Sequence, residues 1–477
     1  MQLYDMSAVE LMYLLRDRKV SSVEITKCFL KRIEKENERL GAYITICEDV
    51  AIQQAEAADR RIARGEMLDV TGLPISVKDN ICTAGVKTTC GSKMLQSFVP
   101  SYDATVVEKL TSAGAVILGK VNMDEFAVGA SGELSALLST INPINSEYVP
   151  GGSSSGSAAS VAAGLCVASV CSDTGGSVRV PASCCGLVGF KPSWGGISRY
   201  GLIAYASSLE QIGVIAKTVP DITLFSGVMF GADPRDVSTH EVEKPSYEMR
   251  KIFGLRFAFS DEFLKTADAE ITATVTNVSE LMCRAGAHRV DAKISMYSDL
   301  SNVYRVIASA ELSSNLARFD AVKYGYLKPG ASNVTVDSRS ASFGREVKKR
   351  ILIGNYVLSE ENFSKVYEKA CRTRDKIAYE LDSIFESADV ILAPVSDSTV
   401  GKCGESVCDG CESYRSDIHT VAANLAGLPA VSIPAGRDKN GMPISVQLMS
   451  RRFSDKELIS VAASLEKLLE GDDTHGL

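Results

Sequence analysis

Two glycine- and serine-rich loops constrain this chain more than any other feature. The first is Gly151-Gly-Ser-Ser-Ser-Gly-Ser157, which leads into a small-residue helix expected over 158–165. The second is Asp173-Thr-Gly-Gly-Ser177, which follows a short apolar strand expected at Val167-Ala-Ser-Val170. Side chains this small let backbone segments approach closely, and consecutive glycines leave their N–H groups unobstructed. The second loop interrupts an otherwise apolar, small-residue region.

The surroundings predict an α/β architecture. Leu73-Pro-Ile-Ser-Val-Lys-Asp79 reads as a short strand after a Thr-Gly turn, 104–113 as a helix, and Gly114-Ala-Val-Ile-Leu-Gly-Lys120 as a buried strand. Strands alternating with helices imply a sheet covered on both faces. Ahead of them, Ser7-Ala-Val-Glu10 and Ser21-Ser-Val-Glu24 are capping-box patterns, and a third helix over 50–64 stops at Gly65. Beyond Pro220, helices are expected over 261–287, 303–324 and 363–385. Strands at Asp389-Val-Ile-Leu-Ala-Pro394 and Ala430-Val-Ser-Ile-Pro434 return to the sheet. The stretch 326–342 reads as the most loop-like and the most mobile. No internal repeat or low-complexity linker divides the chain. Residues 1–477 are therefore read as one domain, with a helical start (1–66), a glycine-rich centre (67–220) and the rest of the sheet (221–477).

Composition narrows the function classes. The 477 residues are 45% apolar and 23% charged, as in ordinary globular proteins. With 51 basic against 59 acidic residues the net charge is −8. Gripping nucleic acid needs clustered Lys and Arg, so any nucleic acid is expected to be held by a partner. Thirteen scattered cysteines, an odd number, fit free thiols in a reducing cytosol. The start Met1-Gln-Leu-Tyr-Asp5 lacks the pattern of a signal peptide. The longest small apolar run, 158–171, falls short of the roughly 20 residues of a membrane span. A cytoplasmic chain with no membrane contact is the expectation.

Ser177 is a candidate nucleophile, but a serine hydroxyl needs a base. The chain has four histidines, His240, His288, His419 and His475, and none lies within the first 239 residues. A lysine can replace histidine when burial holds it neutral, since burial disfavours the charged form. Lys78, at the end of an apolar strand, is the candidate, and a serine of the first loop can pass the proton between them. Each residue alone has a plainer reading: a turn or capping serine, a solvated strand-end lysine, a loop serine.

Taken together, Lys78, the Gly-Gly-Ser-Ser loop with Ser153, and the Asp-Thr-Gly-Gly-Ser turn ending at Ser177 resemble the amidase signature family in type and in spacing. The resemblance implies an amidase-signature fold, with a central mixed β-sheet covered by helices on both faces. It implies that Ser177 is acylated, Ser153 relays the proton and Lys78 is the base. The N–H groups of Thr174, Gly175 and Gly176, on to Ser177, would form the oxyanion hole. Further segments are similar to the A subunits of glutamyl-tRNA(Gln) amidotransferases: Asn122-Met-Asp-Glu-Phe126, Ile197-Ser-Arg-Tyr-Gly-Leu202, Ala206-Ser-Ser-Leu-Glu-Gln-Ile212, Glu311-Leu-Ser-Ser-Asn-Leu316 and Asn424-Leu-Ala-Gly-Leu-Pro429.

That second resemblance implies a glutaminase that passes ammonia to the B subunit of such an enzyme. The B subunit would hold most of the tRNA and amidate glutamyl-tRNA with ATP and Mg, the C subunit would brace the pair, and this chain would need no cofactor. It places Arg350 at the α-carboxylate of glutamine, where a guanidinium fork pairs two oxygens. It places Asp417 at the α-ammonium and Tyr304 in the pocket. Arg350 also sits in a Lys348-Lys-Arg run that reads as a solvated face, and Asp417 also reads as a helix cap.

The chain departs from the pattern at Ser155, where the family has glycine, at Val214, where proline is usual, and over 396–413. A stand-alone amidase acting on another small amide, or a catalytically inactive scaffold, stays open. Two other motifs are weaker. Gly114-Ala-Val-Ile-Leu-Gly-Lys120 scans like a phosphate loop but lacks the following Ser or Thr. Cys403, Cys408 and Cys411 are one thiol short of a closed zinc site, with His419 a conceivable fourth ligand.

Overall fold

Eleven strands form one sheet in the computed structural model, which describes residues 2–405 and 418–471. In chain order they are β1 (Tyr43–Ile46), β2 (Pro74–Lys78), β3 (Val116–Val121), β4 (Ala168–Asp173), β5 (Val188–Lys191), β6 (Gln211–Ala216), β7 (Arg256–Phe259), β8 (His288–Asp291), β9 (Val390–Pro394), β10 (Ala430–Arg437) and β11 (Pro443–Met449). Their spatial order is β1-β3-β2-β4-β6-β5-β10-β11-β9-β7-β8. The runs β3-β2-β4 and β9-β7-β8 are parallel, and the strands between them pair antiparallel. The sheet is therefore mixed.

Every residue of β2, β3 and β4 is buried, as parallel strands covered on both faces require. Alternation along β9 divides the interior in two. Val390 and Leu392 join one apolar cluster, and Ile391 and Ala393 join the other. The first cluster lies under helices α1 (Ala8–Arg16), α2 (Ser22–Leu40), α3 (Glu48–Ala63), α4 (Thr105–Ser112), α5 (Ser155–Ala162), α7 (Val219–Met229) and α8 (Ala269–Arg284), the short α6 (Arg179–Cys184) preceding α7 in the chain. The second is built by α9 (Leu300–Leu316), α11 (Arg345–Val357) and the helix Glu368–Ile384, with α10 (Val334–Ser342) at its margin.

Local sequence explains much of this. Ser7 accepts from the Glu10 N–H at 3.2 Å while Glu10 accepts from the Ser7 N–H at 2.7 Å, and Ser21 and Glu24 repeat the exchange. Small residues let α5 press on the sheet. A Cβ at Gly156 would sit 2.4 Å from the Asn122 nitrogen and 2.5 Å from the Ala42 oxygen. Ser155, the departure from the family glycine, fits here: it opens α5 and its hydroxyl donates to Thr140 Oγ1 at 3.3 Å. Val214 is an interior residue of β6 paired with Val170 and Phe190.

The loop expected over 326–342 is in part helical. Asn333 caps α10, its side chain accepting from the Val336 N–H at 3.1 Å. The stretch reads as a loop because α10 buries only Ser338 and Ser342, so it carries no apolar stripe. Cys408, Cys411 and Asp417 lie outside the described residues. Among the described residues the cysteines are free thiols, no cluster of three or more His, Cys, Asp or Glu could hold a metal, and no helix is long and apolar enough to cross a membrane. Lys120 is buried in β3, donating to the Ile81 carbonyl at 2.6 Å and Thr88 Oγ1 at 2.9 Å, which is a structural use and not a phosphate loop.

Candidate active site

Lys78 ends β2 with its side chain fully buried. Its Nζ donates to Ser153 Oγ at 2.8 Å, Ser172 Oγ at 3.1 Å and the Ser172 carbonyl at 3.3 Å. Asn80 Nδ2 holds the Ser172 hydroxyl from the other side at 2.9 Å. Burial pulls the Lys78 ammonium down to about 8, against the opposing pull of the Asp124 and Asp173 carboxylates. The lysine that the sequence singled out is thus dry and surrounded by hydroxyls, and it titrates close to neutrality.

Ser153 follows a cis peptide bond from Gly152. Both residues are tied down: the Gly152 N–H donates to the Ala130 carbonyl at 2.7 Å, and the Ser153 carbonyl accepts from the Asp124 N–H at 3.1 Å. Gly152 must be glycine, because a Cβ would fall on Asp124 Oδ2. Asp124 in turn accepts from the N–H groups of Gly132 and Leu134 at 3.1 and 2.8 Å.

Ser177 stands on the turn between β4 and α6. A buried charge network anchors that turn. Asp173 Oδ1 accepts from the Gly176 N–H at 2.8 Å and Oδ2 from the Val178 N–H at 3.1 Å. Arg179, with no exposed surface, clasps both Asp173 oxygens at 3.0 and 3.1 Å. The same guanidinium reaches Asn424 Oδ1 at 2.7 Å, Gln447 Oε1 at 2.9 Å and the Thr420 carbonyl at 3.0 Å. Burial pushes the Asp173 carboxyl up, but Arg179 outweighs it and holds the group at about 2. The Gly176 N–H is therefore committed to Asp173, which takes it out of the donor set expected for an oxyanion. The N–H groups of Thr174, Gly175 and Ser177 have no partner among the described residues.

One small cavity gathers Ser177, Gly175, Tyr304, Arg350, Tyr205, Ala127, Gly129 and Ala130. Of the expected substrate residues, Arg350 and Tyr304 are brought to Ser177, and Asp417 lies outside the described residues. Arg350 is buried on α11, with Nη1 donating to Tyr205 Oη at 2.9 Å and Nε to Glu346 Oε1 at 3.1 Å. Its place in a Lys-Lys-Arg run does not make it a solvated side chain. The Tyr304 ring backs the turn, since a Cβ on Gly175 would lie 2.6 Å from Tyr304 Cζ.

Sequence reasoning missed Asp173, Arg179, Ser172, Tyr205 and Asp124 as parts of the site. A signal was present for Arg179, a lone guanidinium in an apolar, small-residue stretch, which is found buried only when paired. Tyr205 had none, because its partner Arg350 is far off in sequence.

A dry lysine bound to a serine, with a second serine facing a guanidinium across a cavity, suits acyl transfer from an amide. The chain belongs to the amidase family, whose profile matches residues 24–459. It is 46% identical over 475 residues to the A subunit of the glutamyl-tRNA(Gln) amidotransferase of Desulfosudis oleivorans, covering 98% of each chain. The crystal structure of the A subunit of the glutamyl-tRNA(Gln) amidotransferase from Thermotoga maritima superposes with a TM-score of 0.82 at 36% identity, over 98% of this chain and 95% of that one. The peptide amidase of Stenotrophomonas maltophilia superposes with a TM-score of 0.83 at 26% identity, over 98% and 97%. The fold is thus the amidase-signature fold, with its mixed sheet and two helical layers.

Proposed function

We propose that this chain is the glutamine-hydrolysing A component of a glutamyl-tRNA(Gln) amidotransferase, and that Lys78, Ser153 and Ser177 perform the hydrolysis. The observation that carries the reading is the buried Lys78–Ser153 hydrogen bond, on a loop whose Gly152 N–H is held by Ala130 of the cavity that Ser177 shares with Arg350. Likeness to the A subunits of such amidotransferases over nearly the whole chain supports it.

In this mechanism Ser177 Oγ attacks the side-chain amide carbon of glutamine. The Ser177 proton passes to Ser153 as the Ser153 proton passes to neutral Lys78. The carbonyl oxygen gains charge and is met by the N–H groups of Thr174, Gly175 and Ser177. On collapse the C–N bond breaks, the proton returns through Ser153 to the leaving nitrogen, and ammonia departs. Water then cleaves the ester by the same relay and glutamate leaves. Arg350 pairs with the substrate α-carboxylate, Tyr304 walls the pocket, and Asp417 receives the α-ammonium. Ammonia goes to the B subunit, which holds the tRNA and uses ATP and Mg, with the C subunit bracing the assembly in the cytoplasm.

The test is ammonia release from glutamine by the purified chain, alone and co-expressed with the B and C subunits, for wild type and Ser177→Ala. Release by wild type, greater in the complex and lost in Ser177→Ala, supports the proposal. Turnover of simple aliphatic amides without turnover of glutamine overturns it in favour of a stand-alone amidase.

A further inference from the structure

Glu125 lies outside the cavity, yet it joins two of its walls. The residue is 3% exposed and its carboxylate has two donors. Ser92 Oγ donates to Oε1 at 2.5 Å, and the Gly344 N–H donates to Oε2 at 2.8 Å. Gly344 is the N-cap of α11, and its own side chain has nothing to offer the open N–H groups of the first turn. Glu125, 219 residues away in sequence, instead holds the N–H of the N-cap residue itself and so fixes where the helix begins. Burial raises the Glu125 carboxyl to about 7, while Ser92, the Gly344 N–H and the Lys348 ammonium favour its charged form, and that form also meets the positive end of the helix. The approach is close, since a Cβ on Gly344 would sit 2.4 Å from Glu125 Oε2.

Glu125 opens a short 3-10 turn, Glu125–Ala127, whose last residue lines the cavity. Phe126 and Ala127 take left-handed backbone angles, with φ of 50° and 61°. Phe126 packs edge-on against Phe343, 5.7 Å between centroids, immediately before the Gly344 cap. Ala127 lines the cavity with Arg350, which projects from the second turn of α11. One carboxylate therefore fixes the start of the helix bearing Arg350 to the loop that forms the opposite wall.

We infer that Glu125 is a positioning residue for substrate recognition: by fixing the start of α11 it aims Arg350 at the α-carboxylate of the substrate. The inference rests on the glutaminase reading and deepens it. Its expected signature is weaker glutamine binding with an intact nucleophile.

The experiment uses the complex with the B and C subunits. Steady-state ammonia release gives kcat and KM for glutamine, and a fluorophosphonate probe gives the labelling rate of Ser177 and the glutamine concentration that protects it. Glu125→Gln is expected to raise KM and the protecting concentration about tenfold, as for loss of one charge-assisted hydrogen bond, with kcat and the unprotected labelling rate within about twofold. Gly344→Ala, which crowds the carboxylate from the other side, should show the same split, and it serves if Glu125→Gln does not fold. In an Arg350→Ala background the Glu125→Gln change should add less than about twofold, because both act on one contact. Equal losses of labelling rate and binding, or an undiminished effect without Arg350, overturn the positioning role. A wild-type complex that labels at Ser177 but neither hydrolyses nor is protected by glutamine fails the glutaminase reading itself.

Discussion

The Lys78 ammonium nitrogen lies 2.8 Å from the Ser153 hydroxyl, and neither side chain has exposed surface. The contact joins the end of a sheet strand to the glycine- and serine-rich loop that leads into α5. In the proposed mechanism the lysine must lose its proton inside the protein before it can accept one from the serine. The predictions about pH and about charge removal both start there.

Activity should rise with pH through about 8, the value to which burial brings Lys78. Below it, kcat/KM for glutamine should fall by roughly tenfold per pH unit, since only the neutral amine can act as base. Stability should follow the same group. The unfolded chain keeps this proton up to the ordinary value of 10.5, so between about 8 and 10.5 the unfolded state binds more protons and Lys78 adds stability as pH rises. A pH profile of single-turnover hydrolysis that stays flat from about 6 to about 9 would contradict the assignment of the base.

Replacing Lys78 by methionine should separate function from folding. The variant keeps the stem volume and removes the buried charge, while Ser153 and Ser172 lose a donor. Relief of burial and loss of hydrogen bonds oppose each other, so denaturant stability should stay within about 1–2 kcal/mol of wild type. Hydrolysis should fall by about a thousandfold or more, as for loss of a base that acts as a unit with its nucleophile. Urea melts and ammonia release on the same preparation check both.

Gly175 faces a ring and not open space. A Cβ there meets Tyr304 Cζ at 2.6 Å and Oη at 2.7 Å. Gly175→Ala must displace the ring or the turn, and the turn is held by Asp173 and Arg179. Ser177 labelling should therefore slow by about ten- to a hundredfold, the range that small misplacements near the chemistry produce. Adding Tyr304→Ala opens the space and should restore labelling, though not glutamine binding, in the double variant. A double variant no faster than Gly175→Ala would locate the strain elsewhere.

What could be read from the sequence was local. The Ser7 and Ser21 caps, β2, β3, β4 and α5 announce themselves because their determinants lie within a few residues. Lys78, Ser153 and Ser177 were legible because their motifs carry the resemblance in type and spacing. The antiparallel middle of the sheet was mostly silent: β5, β6 and β11 are short or buried on both faces, so no alternation marks them. α10 was hidden because it buries two serines. Glu125 carried no signal, and the lone guanidinium of Arg179 signalled a buried pair without naming its partners. Their meaning lies in partners such as Gly344 and Asn424, which lie 219 and 245 residues further along the chain.

Arg179 offers the sharpest test of how the turn is held. Removing the guanidinium leaves Asp173 buried without its hydrogen-bonded countercharge, with the Lys191 and Lys78 ammonium groups acting on it only through the field, and strands Asn424 Oδ1 and Gln447 Oε1. Arg179→Met should cost about 3–5 kcal/mol, the loss seen when one partner of a buried pair is deleted. Asp173→Asn in the same chain removes the orphaned charge and should recover part of that loss, which distinguishes charge burial from lost packing. The acid limb of wild type carries the same information. Asp173 moves from an ordinary value of 3.8 to about 2, so its stabilisation is complete above about 4 and disappears as pH falls through 2. Acid unfolding followed by circular dichroism should lose that component in Asp173→Asn. If Arg179→Met proves as stable as wild type at neutral pH, the network does not hold the turn and Ser177 is positioned by other contacts.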